Sequence, residues 1–377
     1  MQEIFNFTRE SDSVTVYAVG ACEQVKPFWL ELEQECDCDF FHSWHWMSSW
    51  LEMVLDKTSV YCFIYRQNDV VCSICMVTLC KSQRKKGLIR TLQLQLNEYL
   101  EPGLDMIKAY NGLLCREGTE KKSWEMFIEA AKRFNRQWDE ILLSSISVSD
   151  QGLIQDIDHR LGIDLHRMAY RWVKDLSDQH ACENTLLSTC KKKSRKQLKQ
   201  SLNAFAEQCH IQIVAAENVE TAMSYFEEMK EIHTRRWQAA GEDGSFANPY
   251  WVDFHKRLIS NSFEQGIILM IRISCDETNL GYLYGHHYRE KVYMHQTGFT
   301  LMDENKFRPG YVSHFEAMRY CAALGAKSYD FLPDDERSYK KFFTERGEPV
   351  SWFHLKRRRP VFILEKAING LQRMKKG

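Results

Sequence analysis

The chain has 377 residues, with Lys+Arg of 50 against Asp+Glu of 51 and a formal net charge of −1. That balance excludes a global field drawing the protein to nucleic acid or anionic lipid. A hydrophobic content of 44% with 27% charged residues is globular, and the length predicts about two domains. No apolar run approaches the ~20 residues of a membrane helix, so no membrane insertion is expected. The N-terminus, MQEIFNFTRESD, lacks the basic and apolar regions of a secretory signal. The 13 cysteines are therefore expected as reduced, mostly buried thiols in a cytoplasmic protein.

In chain order, residues 13–19 (SVTVYAV) alternate like a strand. Residues 25–36 and 40–55 carry helical periodicity, the second rich in Phe40, Phe41, Trp44, Trp46 and Trp50, an aromatic stripe that reads as core. Cys36, Cys38, His42 and His45 stand together, but their spacing is tighter than in zinc modules and aromatics fill the gaps. A helix start is the reading taken, and no metal is expected. Strands follow at 59–66 and 70–80, joined through Gln67–Asn68–Asp69, and at 88–94 after the basic loop KSQRKKG. A helix at 121–134 and strands at 140–146 and 165–173 continue an alternation that predicts α/β architecture.

The polar, aperiodic stretch KDLSDQHAC (174–182) marks a boundary. The domains predicted are 1–178, 179–359 and a basic tail helix at 360–377. The run CKKKSRKQLKQSLNAF has Leu198, Leu202 and Phe205 on one buried helical face, which leaves its lysines as a solvated face without interleaved aromatics for base stacking. A strand at 211–215 precedes a long helix at 219–237, where Met223, Phe226, Met229, His233 and Trp237 share a face. After AGEDGSF come a helix at 249–259 and a strand at 266–273. Residues 281–343 then read strand, turn, strand, polar loop, helix, strand, helix. The loop at 301–310 closing on a helix N-terminus beside a strand end is a ready anion site. A strand at 348–355 completes the second domain.

Particular residues carry a resemblance. They are KSRKQLKQSLNAF (193–205), HTRRWQAAGEDGSF (233–246), Phe254–His255, the strands around Gly285 and Tyr293, FRPGYVSHFEAM (307–318), YDFLP (329–333) and SYKKFF (338–343). In their order and spacing, residues 184–356 resemble the acyltransferase domain of the CelD/BcsL-type proteins of the GNAT superfamily, related to FemAB-type peptidyltransferases and Mig-14-like proteins. The first half resembles that group's partner domain through FFHSWHWMSSW (40–50) and its α/β order.

The resemblance implies an α/β (mixed α+β) fold of two tandem GNAT-like domains, each a mainly antiparallel mixed sheet flanked by helices, the first degenerate. It implies transfer of an acetyl or other acyl group from acetyl-CoA or another acyl-CoA, a co-substrate, to an amine of a small molecule, amino sugar or peptide. It places the pantetheine between strands 291–298 and 327–332 and the pyrophosphate on the loop before the next helix. The donor contacts so implied are Gln296, Thr297, Gly298, Arg308, Gly310, Tyr311 and Val312. The loop departs from the superfamily pattern in having one glycine, Gly310, after Pro309, which has no N–H to donate. Relatives sharing that departure use aminoacyl-tRNA, so tRNA is the one nucleic-acid partner kept open, and a catalytically silent binding protein is a third reading.

The chemistry needs an acid for the leaving thiolate and a base for the amine. Tyr339, in the segment after strand 327–332, is the candidate acid, because a phenol lies above a thiol's pKa of ~8.5. His233 leads the candidate bases, with core packing as its alternative role. His295, Asp330, His255 and His314 follow, and Asp330 is equally suited to pair with Arg236 or Lys340. Arg236, Trp237 and His255 are the candidate acceptor contacts.

Overall fold

The structure, a computed structural model, describes residues 1–100, 108–135, 137–177, 183–188 and 190–374. Two compact units divide it: residues 1–168 with 349–377, and residues 169–348. The first unit begins with β1 (Gln2–Arg9), β2 (Asp12–Val19), α1 (Lys26–Glu35) and α2 (Trp44–Val54). It continues through β3 (Val60–Gln67), β4 (Val70–Arg84), β5 (Ile89–Leu96), β6 (Leu114–Cys115), α3 (Glu120–Phe134), β7 (Glu140–Ser147), α4 (Val148–Ile157) and β8 (Gly162–Tyr170). Asn68 and Asp69, with φ of 49° and 64°, make the tight left-handed turn joining β3 to β4 that their residue types favour. Trp124, Phe127, Ile128 and Ala131 form the buried face of α3, which covers the sheet with Val16, Phe63 and Ile141.

β5 and β7 are parallel neighbours, but they pair only at Gln93↔Glu140, Leu94↔Ile141 and Gln95↔Leu142. Beyond that point the chain itself fills the wedge. Asn111 forms a parallel bridge to Ile146, and its N–H donates to Ser145 O at 3.2 Å. Its side-chain Nδ2 donates to Leu96 O on β5 at 2.8 Å. Asn97, in left-handed backbone at φ 50°, donates to Asn111 Oδ1 at 3.1 Å and to Gly112 O at 2.7 Å. Each buried amide thus finds the partners that its desolvation requires.

The second unit contains β9 (Val173–Asp175), α5 (Glu183–Ser188), α6 (Lys192–Ala206), β10 (Ile211–Ala215), α7 (Val219–Ala239) and α8 (Pro249–Ser262). Then come β11 (Ile268–Cys275), β12 (Thr278–Tyr288), β13 (Lys291–Phe299), α9 (Pro309–Ala323) and β14 (Ser328–Asp330). The sheet order is β10-β11-β12-β13-β14-β9. Asn218 caps α7 by accepting from Thr221 N at 2.8 Å, and Asn248 caps α8 ahead of Pro249, a residue suited to the first helical position.

Here too the parallel pair is short: β13 and β14 match at Lys291↔Ser328, Val292↔Tyr329 and Tyr293↔Asp330. Among the described residues no strand pairing continues along 294–299 on that edge. On its other edge β13 bulges. Tyr284 faces Gln296 and Gly285 faces Met294, so His295 is the extra residue.

The chain finally returns to the first unit as β15 (Pro349–Lys356) and α10 (Pro360–Met374). The first sheet therefore runs β1-β2-β3-β4-β5-β7-β15-β8, with β6 on β4. This differs from the sequence-based boundaries of 178/179 and 359/360. Val350, Phe353 and Leu355 predict a strand, but their partners on β7 are remote in sequence and local pattern does not name them. Conversely, β9 pairs with β14 in the second sheet. Two further expectations change. Cys209 and Cys275 are disulfide-bonded, their Cα atoms 5.5 Å apart, where reduced thiols were expected. Residues 334–343 form loop and a single 3-10 turn at Tyr339–Phe342 instead of a full helix.

Candidate functional site

The elements that meet in the second unit are the C-terminal half of β13, the N-terminus of α9, β14 and the turn at 339–342. The α9 N-terminus has few backbone donors to offer. Pro309 has no N–H, and the N–H groups of Tyr311 and Val312 both return to Arg308 O at 3.0 and 3.1 Å. Gly310 N–H is the donor at the helix mouth. A cleft of about 310 Å³ opens there, lined by Arg236, Phe299, Thr300, Arg308, Gly310 and Tyr311 among others. A Cβ on Gly310 would stand 2.9 Å from the Phe299 ring, so a side chain here would have to displace that ring. Arg308 donates Nε to Asn305 O at 3.2 Å and holds its guanidinium 5.8 Å from the Tyr311 ring.

Behind this cleft is a three-residue hydrogen-bond chain. His314, fully buried on α9, bonds Tyr329 OH through Nδ1 at 2.9 Å and Tyr339 OH through Nε2 at 3.1 Å. Burial, reinforced by the Lys340 charge, pushes the imidazole pKa down to about 3, so the ring is neutral and has one donor and one acceptor nitrogen. Tyr329 is buried on β14, and burial pushes its phenol well up. Tyr339 keeps 43% of its surface exposed, yet protein around its hydroxyl, with the Asp334 carboxylate nearby, also raises its pKa. Arg236 opposes that rise and also lines the cleft, so it lies against both features. Lys340 is fixed by Leu332 O at 3.0 Å and Asp334 at 3.3 Å.

The other sequence candidates occupy different places. His233 is buried among Phe246, Trp237 and the 244 turn, and its Nδ1 has no hydrogen-bond partner. Burial and Arg236 push it down to about 4. A Cβ on Gly244 would meet the His233 ring at 2.3 Å, so this glycine lets the turn close over the histidine. Trp237 is 37% exposed beside it. His295, pushed down to about 3 by burial, packs with His255 at 4.4 Å and His286 at 5.5 Å between ring centroids. His255 is fully buried and bonds Tyr284 OH at 3.1 Å, so it faces the interior and not an acceptor.

Asp330 accepts Leu332 N at 2.7 Å and lies 3.9 Å from Arg171, not Arg236. It steadies a turn whose Leu332 has φ 65°. Gln296 accepts its neighbour Thr297's N–H at 3.1 Å. Gly298 allows close approach of α7, since a Cβ would meet Met229 O at 2.8 Å. Val312 belongs to the core. Of the candidates, the structure thus gathers Tyr339, His314, Arg236, Arg308, Gly310 and Tyr311. Tyr329 escaped the sequence reading, although a tyrosine inside an apolar strand signals a hydroxyl in need of a partner. Among the described residues no cluster of three or more His, Cys, Asp or Glu is arranged to hold a metal ion. Nor is any helix long and apolar enough to cross a membrane.

Residues 192–341 match the family model described as an acetyltransferase (GNAT) domain. No protein of curated function matches the chain in sequence. Among solved structures, FemX aligns with a TM-score of 0.57 at 10% identity, covering 93% of this chain and 99% of that one. A conserved protein of unknown function from Bacteroides thetaiotaomicron aligns with a TM-score of 0.55 at 9% identity, covering 90% and 100%. These likenesses are of fold. Both units are mixed sheets flanked by helices, and the residues that match the family model include the short parallel pairing and the bulge described above.

Proposed function

We propose that the chain, whose second unit carries a GNAT-type domain, is an N-acyltransferase. It moves an acyl group from acyl-CoA to the amine of a small molecule, amino sugar or peptide. The observation that carries this reading is the Tyr339 hydroxyl, bonded to the buried neutral His314 beside the unpaired edge of β13. In the reaction the amine nitrogen bonds to the thioester carbonyl carbon and the C–S bond breaks. The departing thiolate takes the Tyr339 proton, and the proton shed by nitrogen restores the phenol. A raised phenol pKa keeps Tyr339 protonated at neutral pH, as an acid for a thiolate of pKa ~8.5 must be. His314, itself bonded to Tyr329, orients that hydroxyl. A main-chain donor just past the His295 bulge, at Gln296 or Gly298, serves the oxyanion, since the Thr297 N–H is already bonded to Gln296 Oε1. Arg236, Arg308 and Gly310 N–H receive the donor's phosphates.

The test uses the whole chain with acetyl-CoA. Calorimetric binding and a thermal shift are expected, with Tyr339→Phe retaining binding while amine-dependent release of free CoA collapses. Absence of both heat and shift at saturating acetyl-CoA contradicts the acyl-CoA reading.

One observation favours a second reading. With Pro309 at N1 and two N–H groups committed to Arg308 O, the loop offers little backbone to a pyrophosphate. An aminoacyl-tRNA donor would instead use the exposed Lys192, Lys193 and Lys196 on α6. Charge reversal at these positions abolishes tRNA-dependent transfer on that reading and leaves acetyl-CoA turnover untouched on the first.

A further inference from the structure

A cleft of about 660 Å³ in the first unit is lined by Arg160, Ile163, Arg358, Ile363 and Lys366 among others, and it shares Arg160, Leu161, Arg357, Arg358 and Arg359 with a neighbouring cavity of about 560 Å³. Its size is that of a small-molecule site. The end of β15 builds the cationic wall. Arg357 is locked by its guanidinium over the Trp138 ring at 3.8 Å and by a bond to Lys132 O at 3.0 Å. Arg359 lies 3.5 Å from Asp139. With both neighbours anchored, the intervening Arg358 is exposed in the wall, and Lys366 on α10 is exposed beside it.

The acids around the cleft are already engaged. Asp158 pairs with Lys132 at 2.9 Å and Arg160 at 3.1 Å. Asp164 pairs with Lys356, and Glu365 pairs with Lys356 at 3.0 Å and Arg84 at 2.8 Å. Arg358 and Lys366 have no ion-pair partner among the described residues. The opposite character stands next to them: Ile363 is 73% exposed and Ile163 36% exposed, both lining the same cleft. An exposed apolar patch against uncompensated cations calls for a ligand with both chemistries.

We propose that this cleft binds a phosphate ester bearing an apolar portion. The phosphate sits on Arg358, Lys366 and Arg160, and the apolar portion lies on Ile163 and Ile363. A lipid headgroup and a soluble phosphate ester share this chemistry, and the experiment separates them. The full chain is titrated calorimetrically with short-chain phosphatidic acid below its micelle concentration and with inorganic phosphate. It is also sedimented with phosphatidylglycerol and with phosphatidylcholine vesicles.

Binding to the short-chain probe is expected, weakened at least about tenfold by the pair Arg358→Glu and Lys366→Glu, a decade being about 1.4 kcal/mol. Ile363→Ser should weaken the short-chain probe and leave inorganic phosphate unaltered. Co-sedimentation with phosphatidylglycerol but not phosphatidylcholine assigns the ligand to a membrane lipid. Binding of the short-chain probe without co-sedimentation assigns it to a soluble ester. Failure to bind either probe, or charge-reversed protein that binds like wild type, overturns the proposal. Equal loss of both ligands in Ile363→Ser overturns its apolar half.

Discussion

The two units meet the same structural problem and answer it differently. In each, two parallel neighbours pair over three residue couples and then part: β5 with β7 in the first, β13 with β14 in the second. In the first unit Asn111 occupies the wedge and bonds both sides of it, to Leu96 O and to Ser145 O. In the second no strand pairing continues along 294–299 on the β14 edge among the described residues, and a cleft opens at the adjoining helix mouth. A sheet wedge holds unsatisfied backbone unless something enters it, so a chain either fills the gap itself or leaves it to a ligand. On the proposed function, this contrast assigns the chemistry to the second unit and a structural or binding role to the first.

The largest effect expected is on turnover. Tyr339→Phe removes the proposed proton donor and should lower kcat by about 10²- to 10⁴-fold with little change in donor affinity, measured as CoA release against calorimetric binding. Next comes acid stability. His233, His295 and His314 in the second unit are held neutral by burial, at pKa values of about 4, 3 and 3. The unfolded chain, titrating near 6.5, binds more protons below that pH. Stability is therefore complete above 6.5 and lost as pH falls towards 3, by up to about 2 kcal/mol for each group by pH 5. The first unit has a buried counterpart in His354, pushed down to about 4. Limited proteolysis between pH 7 and 4 should cut residues 169–348 first, and earlier cutting in the first unit would break the comparison.

Asn111→Ala should destabilise the first unit by about 1–3 kcal/mol, since Leu96 O loses its side-chain donor and Asn97 one of its two acceptors, and leave donor affinity unchanged. Appearance of a second acetyl-CoA site in that variant would show that the wedge is a masked donor site. Comparable or smaller effects are expected for the pair Gly298→Ala and Gly310→Ala. The first meets backbone at Met229 O and should cost about 1–3 kcal/mol. The second meets only the Phe299 ring, which can turn, and should melt closer to wild type.

Much of the fold was legible because burial leaves periodic traces. Trp124 to Ala131 and Phe226 to Met229 mark helices, and the alternation through Tyr282 and Tyr284 marks a strand. What stayed hidden has physical reasons. β1 is largely exposed and carries no buried alternation, and α4 is short and contains Gly152. β15 reads as a strand, but pairing with β7 is a long-range choice that its own residues do not encode. Within the site, Tyr339, Arg236, Arg308 and Gly310 were readable as a set because the resemblance orders them. The His314–Tyr329 bond was not, since it joins a helix face to a strand 15 residues on. His233 and His295 drew attention as histidines on apolar elements, and the fold packs both into aromatic surroundings.

The most direct test of the contrast between the units is hydrogen exchange of the full chain with and without saturating acetyl-CoA. Protection is predicted at 294–299 and 308–312, with no change at 93–97 and 140–146. Protection confined to the first unit's wedge would contradict the account.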